Sequence, residues 1–262
     1  MGSGRLETCW APEPIVWRLE SHEHLPSTST ACIARAAAGE RAGLALLARR
    51  QSAGRGSRGR SWACPPGNLA LSVLIRPPTE ARDAGLWALL AGVAVAETAD
   101  AYLARDGISA LRLKWPNDVF LNDAKLAGVL IDFRLDHGSG SGGIAWIVIG
   151  IGVNLAHAPA LAEQRTACLA QGGMTPPTPE AFARQLLDTL GAWHDRLARG
   201  QTDLVRAAWL RRGAPLGTRL GATQGQEHVS GMFAGLTPQG HLMLDTASGR
   251  VTLTSGALHQ YD

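Results

Sequence analysis

The sequence predicts an α+β chain in two parts: a larger part in which strands and helices mix, and a small C-terminal β-barrel. Two observations carry this. Between Ile15 and Val153, apolar runs of strand length, rich in Ile, Val and Leu, alternate with helical stretches. From Leu216 the pattern changes to short segments punctuated by glycine, at 217, 221, 225, 231, 235, 240, 249 and 256. That spacing predicts a barrel of about five strands. A length of 262 residues accommodates one large and one small domain. The expected division is a loose segment over residues 1–14, a larger domain over 15–212 and a smaller one over 213–262.

Taken in order, Ile15–Leu19 predicts a first strand. Ser29 to Ala38 is alanine-rich and predicts a helix, with Ser or Thr before it as N-cap. Leu44–Arg49 predicts a strand, followed by a loop of glycine and arginine from Gly54 to Arg60. Leu69–Ile75 predicts a strand stopped by Pro77-Pro78, and Thr79 is placed to cap a long helix reaching about Leu103. Leu111–Trp115, Leu126–Arg134 and Ala145–Val153 predict three further strands, the last two joined by a hairpin connection at Gly138–Gly143. Thr178-Pro179-Glu180 is a helix start with proline at the first helical position, and this helix extends to about Ala198. A second covers Leu204–Arg211, before Gly213 and Pro215 break the chain. In the barrel, Val229–Phe233 and His241–Leu244 are hairpin-sized segments.

Composition narrows the class. A hydrophobic fraction of 45% and a charged fraction of 18% describe a chain that buries a real core. A net charge of +3, with no lysine run, is too mild to argue for nucleic acid or membrane as a partner. Cys9, Cys32, Cys64 and Cys168 lie far apart, without a C-x-x-C pair, and read as reduced cytosolic thiols rather than zinc ligands or disulfides. The first twenty residues contain no apolar run of the secretory kind. The uncharged stretch Ala84–Ala96 is too short to span a bilayer and suits a buried helix. The expectation is a cytoplasmic protein without DNA or membrane partners.

Three segments bear chemistry. The first is Gln51-Ser-Ala-Gly-Arg-Gly-Ser-Arg-Gly-Arg-Ser-Trp62. Gly54, Gly56 and Gly59 satisfy G-x-G-x-x-G, but a dinucleotide loop must open a helix, and Pro65-Pro66-Gly67 follow instead. A kinase glycine loop fails for want of H-R-D and D-F-G partners. Glycines still let backbone N–H groups approach an anion, and arginines offer it forked donors; a solvated surface turn accounts for the composition equally well. The second is Lys114-Trp-Pro-Asn-Asp-Val-Phe-Leu-Asn-Asp-Ala-Lys-Leu-Ala-Gly128, which holds the only two lysines among 25 basic residues. An ammonium is a compact point charge where a guanidinium is a broad fork. Trp115-Pro116-Asn117-Asp118 predicts a turn. Asp118 is there either as a turn former or as a group that holds Mg²⁺ or a nucleophile. The third is Ile149-Gly-Ile-Gly-Val-Asn-Leu155, whose alternating glycines imply close approach of a ligand or a neighbouring strand, or a barrel-like bend.

Together these segments resemble the biotin–protein ligase family over most of residues 25–155. The marks are Gln-x-Ala-Gly-Arg-Gly with Gly59-Arg60-x-Trp62, Lys-Trp-Pro-Asn-Asp at 114–118, Lys-Leu-Ala-Gly at 125–128 and Gly-x-Gly-x-Asn at 150–154. The resemblance implies a mixed-sheet catalytic domain of the biotin/lipoate ligase type and an SH3-like C-terminal barrel. It implies two-step chemistry: biotin and MgATP give biotinyl-5′-adenylate, and a lysine of a biotin carboxyl carrier domain, of acetyl-CoA carboxylase or a related enzyme, then takes the biotinyl group. It implies a catalytic set of Arg55, Lys114, Asp118 and Lys125. Contacts to biotin would come from Ser27, Thr28, Ser29 and Gln51 at its polar ring, and from Gly54, Arg55, Gly56, Ser57, Lys125 and Gly128 elsewhere. Contacts to ATP or the adenylate would come from Arg55, Arg58, Trp62, Asn117, Lys125 and Asn154, with Asp118 as a magnesium ligand.

Two positions depart from the family's pattern. Asp-Ser-Thr-Asn is replaced by Pro26-Ser27-Thr28-Ser29, and Ser57, followed by Arg58, stands where an arginine that helps retain the adenylate is usual. Some members carry an N-terminal helix-turn-helix domain; with about 25 residues ahead of Ser27-Thr28, no DNA-binding repressor function is expected. The oligomeric expectation is a monomer or homodimer. Two competing readings are a lipoate ligase or octanoyltransferase, disfavoured by Gly-Arg-Gly and Trp-Pro-Asn-Asp, and a non-catalytic binding protein, disfavoured by the presence of Arg55 and Lys125.

Overall fold

The computed structural model describes residues 14–260, apart from 78, 105–109, 137–142, 162–163 and 225–226. The segment expected to be loose and the connection Gly138–Gly143 therefore lie outside the described residues, save for Pro14 and Gly143.

The larger part is a seven-stranded mixed sheet. Its strands are β1 (Arg18–Leu25), β2 (Leu44–Gln51), β3 (Leu69–Ile75), β4 (Leu111–Lys114), β5 (Asp118–Leu121), β6 (Ala124–Leu135) and β7 (Ile144–Val153), in the order β1-β2-β3-β7-β6-β5-β4. β1 and β2 run parallel and every other pair antiparallel. Helix α1 (Thr28–Ala37) connects β1 to β2, and α2 (Ala84–Asp100) connects β3 to β4. After β7 come α3 (Pro179–Ala198) and α4 (Thr202–Leu210). A second, antiparallel sheet of five strands follows, ordered β11 (Gly249–Leu253), β10 (Leu242–Thr246), β9 (Glu227–Leu236), β8 (Arg219–Gln224) and β12 (Ala257–Gln260). Among the described residues no helix is long and apolar enough to cross a membrane.

The two-residue period of a strand divides the large sheet into two faces. On one face, Ala45, Leu47, Leu69, Leu71, Val73, Val129, Ile147, Ile149 and Ile151 join α2 and α3 in the main core. α2 is apolar on nearly every side because α3, α4 and the sheet surround it. The opposite face is divided. At one end, Leu44, Leu46, Leu74, Trp146 and Val148 pack under Cys32 and Ala36 of α1. At the other end, the same rows continue as Ala70, Ser72, Gly128, Leu130, Gly150 and Gly152. Small residues there leave the sheet uncovered, which is what makes a cavity.

Three expectations shift. The first strand begins at Arg18 rather than Ile15, where its N–H bonds Gly43 O at 2.7 Å. The helix after β3 does not begin at Thr79: Thr79 O accepts from Ile144 N at 2.9 Å and Glu80 bridges Gly143, so this stretch is held extended and α2 starts at Ala84 after one 3₁₀ turn. Asp118, read as a turn residue, opens β5, a strand the sequence reading missed; Trp115–Asn117 form the turn, with a cis Trp115–Pro116 bond. β3 and α3 have the bounds their sequence predicts, and the second sheet has the five strands expected. The two sheets meet at the same turn. Trp115 Nε1 donates to Gly240 O at 3.0 Å, and Leu220, Phe233, Leu242 and Leu244 join the main core.

Candidate active site

The cavity on the α1 face has a volume of about 430 Å³. Gly128, Leu130, Gly150 and Gly152 form its floor, and the loop from Arg55 to Trp62 is its roof. Leu161 and Gln164 close one side.

One end is polar and neutral. Ser27 caps α1, its Oγ accepting from Thr30 N at 3.3 Å. The next two residues, Thr28 and Ser29, are presented to the cavity at the helix start. Gln51 Oε1 accepts from Thr28 N at 2.8 Å and from Thr28 Oγ1 at 3.2 Å. Ser72 donates to Thr28 Oγ1 at 2.8 Å and sits 3.2 Å from Ser29 Oγ. Fully buried in β3, Ser72 holds these hydroxyls in register. Buried hydroxyls and an amide in a network suit a small neutral ligand group with both donors and acceptors.

The other end is charged. Lys125 is 7% exposed, and its ammonium meets Asp118 Oδ1 at 2.7 Å. A buried ammonium is costly without such a partner. Asn117 is fixed by its amide donating to Val129 O at 2.6 Å. Trp62 lies over this end, with Lys125 Nζ 5.8 Å from its ring centroid. The indole rests against Gly128 and Gly152: a Cβ on Gly128 would come within 3.2 Å of Trp62 Cζ3, and one on Gly152 would overlap the ring. In the roof, Arg55 forms a two-pronged pair with Asp132 at 2.9 and 3.1 Å. Arg60 lies across Ser57, donating to its Oγ at 3.0 Å.

Most residues singled out from the sequence therefore meet in one place: Thr28, Ser29, Gln51, Arg55, Gly56, Ser57, Trp62, Asn117, Asp118, Lys125 and Gly128. Five do not line it. Ser27 is buried as a helix cap. Gly54 closes the base of the loop, where its O accepts from Trp62 N at 2.9 Å. Arg58 adopts a left-handed backbone (φ 58°) at the loop tip, and it is Arg60 that lines the cavity. Asn154 is buried behind the wall; its amide donates to Ala167 O at 3.0 Å and Lys125 O at 3.4 Å, and it meets Asn68 at 3.4 Å. It ties β6, β7 and the following loop together and offers no group to the cavity. Lys114 pairs with Asp118 across β4 and β5 and shares its face of the sheet, but it lies beyond the cavity lining, 5.4 Å from the Phe120 ring centroid, beside a separate cavity of about 200 Å³ against the second sheet. Burial lowers its pKa, Asp118 opposing that shift and Lys125 adding to it.

Ser72 and Asp132 escaped the sequence reading, and Arg60, a mark of the loop motif, was given no role there. Ser72 carried a signal, as the one polar residue inside Leu-Ala-Leu-Ser-Val-Leu-Ile; Asp132 carried another, two residues beyond Leu130 on the cavity face.

A cavity polar at one end and cationic at the other, roofed by an arginine loop, suits a ligand with a neutral head group and an anionic end. Residues 23–154 match the Biotin/lipoate A/B protein ligase family. The chain is 37% identical over 217 residues to a biotin–[acetyl-CoA-carboxylase] ligase of Paracoccus denitrificans, covering 78% of this chain and 85% of that protein. It is 30% identical over 249 residues to the ligase of the same name from Mycobacterium tuberculosis, covering 92% and 88%. The biotin protein ligase of Aquifex aeolicus, solved with biotin and ATP, superposes with a TM-score of 0.76 at 22% identity over 93% of this chain and 99% of that one, a likeness of fold. The chain belongs to the biotin/lipoate A/B protein ligase family, among its biotin protein ligases.

Proposed function

We propose that this chain is a biotin–[acetyl-CoA-carboxylase] ligase: it joins biotin to the α-phosphate of ATP, releases pyrophosphate, and transfers the biotinyl group to a lysine of a carrier domain. The observation that carries this reading is the cavity's two ends. Thr28, Ser29 and Gln51 suit the ureido ring of biotin, which needs its hydrogen bonds met when buried, and the apolar floor suits its chain. At the far end Lys125 receives the carboxylate.

In the first step a carboxylate oxygen bonds to the α-phosphorus and the bond to pyrophosphate breaks. Negative charge concentrates on oxygens beside Lys125, Arg55 and Arg60, and fixed cations stabilise that arrangement more than the separated substrates. Trp62 covers the adenylate and keeps water from a reactive anhydride. In the second step a carrier lysine amine attacks the acyl carbon, AMP leaves, and the amine loses a proton. Asn117 and Asp118, at the turn beside Lys125, orient that amine.

Asp118 is the one carboxylate among the described residues lining the cavity, and no group of three or more His, Cys, Asp or Glu gathers there. Asp118 is the residue that would hold a magnesium ion arriving with ATP, and such an ion would offset charge on the leaving pyrophosphate.

The test is exchange of labelled pyrophosphate into ATP. Exchange that requires biotin supports the first step; exchange supported by lipoate or octanoate and not by biotin replaces this reading with that of the related acyl ligases.

A further inference from the structure

β6 places Gly128, Leu130 and Asp132 on one face of the sheet. The first two form the cavity floor, and Asp132 stands next along that row, opposite Val148 of β7. Its carboxylate meets the end of the Arg55 guanidinium, Oδ1 accepting from Nη2 at 2.9 Å and Oδ2 from Nη1 at 3.1 Å. This geometry uses one hydrogen on each terminal nitrogen. The Nε–H and the second hydrogen on each terminal nitrogen stay available. Arg55 lines the cavity, whereas Asp132 does not. The carboxylate therefore holds a guanidinium that belongs to the cavity wall from a position outside that wall, with donors left over.

We propose that Asp132 is a positioning residue for ligation: it orients Arg55 for the anionic substrate and fastens the glycine-rich roof to the strand that carries Lys125. The proposal rests on the reading of Arg55 as an anion contact. An arginine on a loop with glycines at 54, 56 and 59 has many orientations open to it, and a two-pronged carboxylate selects one in advance. Asn at this position keeps the size but can accept at only one oxygen, and presents an amide N–H₂ to the other guanidinium nitrogen.

The experiment is a double-mutant cycle of Asp132→Asn with Arg55→Ala, read by biotin-dependent pyrophosphate exchange, with Asp132→Glu as the conservative variant. Asp132→Asn is expected to raise the KM for ATP about tenfold, equivalent to ~1.4 kcal/mol, with kcat changed much less. Asp132→Glu should recover part of the loss, because the longer carboxylate still offers two oxygens. In the Arg55→Ala background, Asp132→Asn should add nothing, since the partner through which it acts is gone. The proposal is overturned if Asp132→Asn leaves KM unchanged, or if its effect persists in full without Arg55. If Arg55→Ala itself leaves KM unchanged, the anion-contact reading of Arg55 fails, and the role of Asp132 fails with it.

Discussion

Lys125 and Gly152 make different demands on the site. Lys125 is a buried ammonium balanced by Asp118 at 2.7 Å, and an approaching anion strengthens its interactions without any need to reorient it. Lys125→Ala should slow adenylate formation by about two to three orders of magnitude, the ~3–4 kcal/mol typical of losing one preorganised group; near-normal pyrophosphate exchange per folded molecule would refute that role. Gly152 contributes only its lack of a side chain. Gly152→Ala would place a Cβ inside the Trp62 ring, so the indole must lift off the sheet. The expected result is a KM for ATP raised at least about tenfold with the protein still folded, and an unchanged KM would show that Trp62 does not cover the nucleotide. At this scale the sequence was legible in that Arg55, Trp62, Lys125 and Gly128, drawn from separate motifs, line one cavity. It could not show that Lys114, on the face of Asp118, lies beyond the cavity lining, or that Asn154 is tied into a network behind the wall. Asp132 was hidden because an acid on a strand is ordinary until its partner is seen, and Arg60 was visible as a motif residue without a role.

Elements create the cavity by changing what covers one sheet face. α1 covers the end where the strands carry Leu44, Leu74 and Val148, and stops where they carry glycine and serine. Cys32 anchors that contact. Burial pushes its thiol from an ordinary value near 9 up to about 12. The folded state therefore holds the proton more tightly than the unfolded chain. The associated stability is intact below about pH 9 and falls as pH rises from there towards 12. Thermal melts of wild type and Cys32→Ala between pH 7 and 10.5 should show the wild-type advantage narrowing with pH; a constant gap would mean that Cys32 is not held protonated by burial. β3 and α3 were legible because an uninterrupted apolar run and a Thr-Pro-Glu start leave little choice. The beginning of α2 was not, because Thr79 is a good cap locally but is claimed by the neighbouring strand through Ile144 N. β5 is four residues long, too short for a period to register beside the turn before it.

On the scale of the whole molecule, the two sheets share a core, and the Trp115 indole joins the site-bearing turn to the second sheet at Gly240 O. The glycine punctuation made the second sheet legible as a small barrel of about five strands. Its contact with the Lys-Trp-Pro-Asn-Asp turn was not, since that depends on which surfaces the two sheets bury. The polar end, the cationic end and the roof come from residues 27 to 152, so the cavity belongs to the large sheet, and the small sheet packs against the turn beside it. The central claim is the transfer itself. Intact-mass measurement of a biotin carrier domain, after incubation with this protein, biotin and MgATP, tests it most directly. The expected result is the gain of one biotinyl group on a single lysine, dependent on ATP. An acceptor left unmodified by biotin, or one that gains a lipoyl or octanoyl group when those acids are supplied and never biotin, would contradict it.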